Sequence, residues 1–119
     1  MPTCCGIIGV KKAITKEVIM EIVTSVNEVS IRITHERWLH ITEEHPEMAG
    51  YYFDILETIT DPVAVFLGNM EEYLAVKEVE SGKFLVAVYK ETASDDGFII
   101  TAFLTRNIER VERKKIVWP

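Results

Sequence analysis

The chain has 119 residues, 48% of them hydrophobic, and a formal net charge of −6. That length suits one domain, residues 1–119, with a single core that needs no disulfide or metal staple, and the composition excludes a disordered or low-complexity chain. No apolar run approaches the roughly 18 to 20 residues that span a membrane, and an acidic chain of even charge would repel nucleic acid.

The charge is not even. From Glu36 to Asp61 there are seven acidic residues and one basic, whereas from Thr101 to Pro119 there are five basic and two acidic. A local positive end still attracts phosphate. At the N-terminus the apolar stretch Cys4 to Val10 is short and Lys11 and Lys12 follow it rather than precede it, which is not a secretory pattern, so a cytoplasmic location is expected. Cys4 and Cys5 are adjacent, a strained geometry for a bridge, and are expected to be reduced and buried. Three histidines and no spaced cysteines give no basis for a zinc site.

In chain order, Glu17 to Val26 fits both helical and alternating patterns, and its β-branched content favours a strand. Asn27-Glu28 then turns the chain into Ser30 to Thr34, giving an N-terminal hairpin. Thr34 caps a helix over His35 to Glu44 with Trp38 and Ile41 on its buried stripe, and Pro46 makes His45 its end. Met48, Tyr51, Tyr52, Ile55, Leu56 and Ile59 recur at helical spacing in a second helix that closes at Asp61-Pro62. Val63 to Leu67 reads as a strand, Gly68-Asn69 as a turn, and Tyr73 to Val79, Lys83 to Lys90 and Gly97 to Arg106 as a three-stranded meander. Ile116 to Trp118 forms a closing edge strand. The expected fold is α+β, with two helices packed on one face of a four- to five-stranded antiparallel meander sheet.

Side-chain alternation then sorts the meander, given a register with Glu91 opposite Gly97. Phe84, Val86 and Val88 share a face with Phe98, Ile100, Ala102 and Leu104, and this apolar face is the expected core. The opposite face carries Leu85, Ala87, Tyr89, Ile99, Thr101, Phe103 and Thr105. Pairing Val79 with Lys83 adds Tyr73, Ala75 and Lys77 to it. This second face is expected to be a floor open to solvent.

Over roughly residues 32 to 118 the chain resembles the phage-associated branch of the barnase/EndoU/colicin/RelE-like nucleases. The phrases that carry the likeness are Thr34-His35-Glu36-Arg37-Trp38-Leu39-His40-Ile41 with His45-Pro46-Glu47, and Gly97-Phe98-Ile99-Ile100-Thr101-Ala102-Phe103-Leu104-Thr105-Arg106. Between them Phe84 to Tyr89 matches an apolar strand ending in tyrosine. The resemblance implies a compact α+β domain with metal-independent ribonuclease activity, toxins among its relatives, at matched positions Arg37, His40, His45, Tyr89, Thr101 and Arg106.

Metal-independent RNA cleavage needs a base for the 2′-hydroxyl, an acid for the leaving 5′ oxygen, and cations or donors on the phosphorane. His40 stands three residues after Arg37 and four from both Glu36 and Glu44, so an imidazole, a guanidinium and a carboxylate share one helix side. An ordinary solvated helix face has the same spacing. The expected catalytic set is Arg37, His40, Tyr89 and Thr101, with His45, Lys77 and Arg106 binding RNA and no metal or organic cofactor. Each also has a plain structural role: His45 as a helix cap, Tyr89 and Thr101 as strand residues, Lys77 and Arg106 as solvated cations.

A rival from another class is a non-enzymatic module that uses the open sheet face or its edges to bind a protein partner, such as an antitoxin, or a second copy of itself. The acidic balance supports that reading, and the aromatics Tyr73, Tyr89 and Phe103 suit a protein interface as well as they suit bases.

Overall fold

The computed structural model describes residues 18–119. The expected thiols, Cys4 and Cys5, lie outside these residues, as does Glu17. Strand β1 (Ile19–Thr24) turns at Asn27-Glu28, where Glu28 takes a positive φ of 63°, into β2 (Ser30–Thr34). The Ser25 hydroxyl accepts from the backbone N–H groups of Asn27 and Val29, both at 3.3 Å, and donates to the Glu91 carboxylate at 2.6 Å. The hairpin expected from β-branched content is therefore formed, and its tip is tied to a strand 66 residues away.

Thr34 ends β2 and caps α1 (His35–Glu44), its hydroxyl accepting from the Arg37 N–H at 3.1 Å. This satisfies one of the orphan donors of the first turn. At the other end the His45 N–H donates to the Ile41 carbonyl at 2.8 Å, and Pro46 prevents continuation. The second helix expected from Met48 onward is divided. Pro46–Gly50 is a 3-10 turn, Tyr51 interrupts, and α2 runs over Tyr52–Thr60. Gly50 costs helical stability where the pattern asked for continuity.

Beyond α2 come β3 (Ala64–Leu67), β4 (Tyr73–Glu80), β5 (Lys83–Ala93), β6 (Asp96–Thr105), a short α3 (Glu109–Glu112) and β7 (Lys115–Trp118). The strands make one seven-stranded sheet in the order β1-β2-β6-β5-β4-β3-β7. It is mixed rather than wholly antiparallel, because β2 joins β6 in parallel through Ile31↔Gly97 and Arg32↔Phe98. The expectation of four or five antiparallel strands omitted this junction, which pairs segments far apart in sequence. Gly97 permits it: a Cβ there would run into the Lys90 carbonyl and lie 2.7 Å from Ile31 Cδ1. Arg32 also forms an ion pair with Asp96.

Glu91 does lie opposite Gly97, and Tyr89 opposite Ile99, but the next pair is Val88↔Thr101. Ile100 is an extra residue in a β-bulge, so every later residue of β6 changes sides relative to the expected register. Val86 now faces Phe103, Ala87 faces Ala102 and Leu85 faces Leu104. Ala75, Ala87 and Ala102 stand side by side across β4, β5 and β6. Their small side chains leave a trough, and the main core fills it with Ile41 of α1, Met48 of the 3-10 turn, and Ile55 and Ile59 of α2.

Of the expected floor, Ala75, Leu85, Ala87, Tyr89 and Ile99 thus form the floor of the core beneath the helices, whereas Thr101, Phe103 and Thr105 pass to the outer side. The expected core face lies on the outer side, where Val76, Val86 and Val88 join Phe66 and Leu74 in a second apolar cluster. Ile108 and Val111, at α3, pack on this outer cluster. Among the described residues no helix is long and apolar enough to cross a membrane.

Candidate functional site

Tyr89 is 0% exposed, and its ring stacks on Tyr73 with centroids 5.5 Å apart. Burial, then the Glu91 charge and Tyr73, push its phenol well above the usual tyrosine range. A sealed, neutral phenol cannot meet RNA, so its expected catalytic role is withdrawn. Thr101 is on the other side of the sheet, opposite Val88, and both hydroxyls are buried without a hydrogen-bond partner. The bulge at Ile100 is what separates them; the two cannot converge on one phosphate.

Lys77 is also corrected. Its Nζ lies 3.3 Å from the Glu57 carboxylate and 3.6 Å from that of Asp61, and donates to the Asp61 carbonyl at 3.1 Å. It ties β4 to the C-terminal end of α2, where a cation also meets the negative end of the helix dipole.

Arg37 and His40 are exposed on α1. The His40 ring sits between carboxylates, with Nε2 3.9 Å from Glu36 and Nδ1 3.8 Å from Glu43. Its C-terminal neighbour is therefore Glu43 rather than Glu44. His45, half-buried at the end of α1, has Nδ1 3.7 Å from Glu47, and its ring centroid is 6.1 Å from that of Phe103 on β6. Of the two candidate site imidazoles, His40 and His45, it is His45 whose ring lies beside a sheet residue.

Phe103 opens a second relationship. Together with Leu74, Thr105, Asn107, Arg110, Val111 and Lys114 it lines a groove of about 480 Å³. Thr105 lies on the outer face opposite Phe84, and its hydroxyl accepts from the Asn107 N–H at 2.9 Å. Val111 anchors α3 on the sheet, which brings Arg110 and Lys114 to the groove wall. Among the described residues no carboxylate lines the groove. Arg106, at the end of β6, is exposed and runs beside the β4–β5 turn, its Nη1 3.9 Å from the position of a Cβ on Gly82.

The helix motif thus ends at Phe103, and the basic C-terminal segment begins there. The sequence marks Arg106 in that basic region, but not Asn107, Arg110 or Lys114 individually. The surplus of basic residues after Thr101 was their only signal. No protein-family model, curated protein or solved structure matches the chain.

Proposed function

We propose that the protein is a metal-independent ribonuclease-like domain that engages RNA along the exposed side of α1, across Phe103, and into the basic groove beside α3. The observation that carries this reading is the shared position of Phe103, 6.1 Å from the His45 ring and part of the groove wall. It joins a titratable imidazole to a strip of hydroxyl, amide and cationic groups. The resemblance of the α1 and β6 phrases to barnase/EndoU/colicin/RelE-like nucleases supports the same reading.

His45, rather than His40, is the general base. It removes the proton from the 2′-hydroxyl, and the freed oxygen forms a bond to phosphorus. The bond from phosphorus to the 5′ oxygen breaks, leaving a 2′,3′-cyclic phosphate; the departing oxygen takes a proton from solvent, and the imidazolium returns its own to water. Arg37, His40 and Arg106 contact the RNA backbone on either side. The test is cleavage of mixed-sequence RNA in EDTA by the wild-type protein and by His45→Ala and His40→Ala variants. Loss with His45→Ala and partial loss with His40→Ala supports these roles; full activity in both removes them.

One observation favours the rival reading of a non-enzymatic, self-associating module. Among the described residues strand β1 pairs only with β2, and Ile19, Met20 and Ile22 of this strand, with Val18 just before it, are exposed at the sheet margin. Exposed apolar edges invite strand addition. Dimerisation lost with Ile22→Lys, with no RNA cleaved, would favour it.

A further inference from the structure

We infer that the groove between β6 and α3 is a nucleotide subsite that holds a phosphate on Arg110 and Lys114 and lays the attached nucleoside on Phe103, Leu74 and Val111. The polymer form of this inference rests on the ribonuclease reading above; the phosphate site itself does not. Its volume, about 480 Å³, falls within the roughly 300 to 1,000 Å³ range of small-molecule sites and exceeds what a bare phosphate fills.

Charge selects the ligand. The chain is acidic overall, yet the groove has two cationic side chains and no carboxylate among its lining residues. Among the described residues neither Arg110 nor Lys114 forms an ion pair. A guanidinium without a carboxylate partner presents a planar fork that matches phosphate oxygens, and a nearby ammonium adds a point charge. Thr105 already accepts from the Asn107 backbone, which leaves its own O–H to donate. The Asn107 amide offers both a donor and an acceptor to a ribose or base edge.

The apolar wall sets the rest of the class. Phe103 presents an aromatic ring, and Leu74 and Val111 are buried in the outer cluster beside it. A base stacks on such a surface without regard to sequence. An inorganic anion would use only the cations, and a neutral nucleoside only the wall. The combination fits a nucleoside phosphate, either free or as one residue of single-stranded RNA next to the phosphodiester that the 2′ oxygen attacks once His45 has taken its proton.

The experiment titrates the full chain with adenosine monophosphate, adenosine, inorganic phosphate and a six-nucleotide RNA with 2′-deoxy linkages to block cleavage. Binding is followed by amide chemical shifts, and the Arg110→Gln/Lys114→Gln and Lys77→Gln proteins are compared after circular dichroism confirms their folds. Adenosine monophosphate is expected to bind at least tenfold tighter than adenosine or phosphate, with shifts at Phe103, Thr105 and Asn107. The double variant is expected to weaken it by about tenfold or more, as loss of charge-assisted contacts implies, while Lys77→Gln, a change away from the groove, leaves it unchanged. A six-nucleotide RNA that also depends on Arg110 and Lys114 identifies the source as RNA; binding of the monophosphate alone identifies it as a free nucleotide. Absence of saturable monophosphate binding, or equal binding by the double variant, overturns the subsite even if RNA is cleaved. Binding that depends on the two cations in a protein that cleaves no RNA keeps the subsite and overturns the ribonuclease reading.

Discussion

Tyr73 and Tyr89 stack at 5.5 Å with ring planes 27° apart, directly opposite each other on β4 and β5. Tyr89 belongs to the core beneath the helices, and its hydroxyl has no hydrogen-bond partner. An unsatisfied buried hydroxyl costs free energy, on the order of 1 to 3 kcal/mol. Replacing Tyr89 by phenylalanine should therefore leave stability unchanged or raise it by about 1 kcal/mol, read as the midpoint of urea unfolding. RNA cleavage should also be retained, in contrast to a catalytic phenol.

Alkaline pH should destabilise the fold. Tyr89, Tyr73 and Tyr52 all have phenols raised above the ordinary value, each chiefly by burial, with nearby glutamates adding to it. The unfolded chain releases these protons near pH 10, while the native state keeps them to higher pH, so the unfolded state binds fewer protons in that window. Their contribution is complete below about pH 10 and is lost as pH rises toward the folded values. Thermal unfolding followed from pH 8 to 11 should show this loss, and Tyr89→Phe should reduce its slope.

Gly97 stands where β2 meets β6, and a methyl group there would press on the Lys90 carbonyl and Ile31. Gly97→Ala should cost about 1 to 3 kcal/mol through overpacking, measured by denaturant unfolding. Unchanged stability would mean that the parallel junction is looser than described.

Lys77→Gln separates the structural role of that lysine from RNA binding. Its partners Glu57 and Asp61 are exposed, so the lost pairs should cost less than about 1 kcal/mol. RNA affinity should stay the same, as judged from fluorescence anisotropy. A marked loss of affinity would return Lys77 to the binding surface.

The elements set by local chemistry were legible. Thr34 as a cap, His45-Pro46 as a helix end, the Asn27-Glu28 turn and the β7 edge strand all follow from short-range rules. The sides of the sheet were not. A bulge changes no residue type, so Phe98 to Thr105 reads as unbroken alternation although Ile100 is inserted and the later side chains are inverted. The alanine row was visible as small residues, yet only pairing across three strands makes it a trough for helices. On the candidate site, Arg37, His40 and His45 could be singled out by their chemistry. The groove depends on the four-residue α3 docking against β6, a contact too short to leave a periodic signal.

The central claim is that an imidazole at the junction of α1 and β6 transfers a proton during RNA cleavage. Single-turnover cleavage of mixed-sequence RNA in EDTA measures it, with folding of each protein checked by circular dichroism. The expected result is metal-independent cleavage by the wild-type protein, cyclic phosphate ends, and a loss of about 100-fold or more in His45→Ala, the usual weight of general acid–base catalysis. Equal cleavage by folded His45→Ala, or none by the wild-type protein, would contradict it.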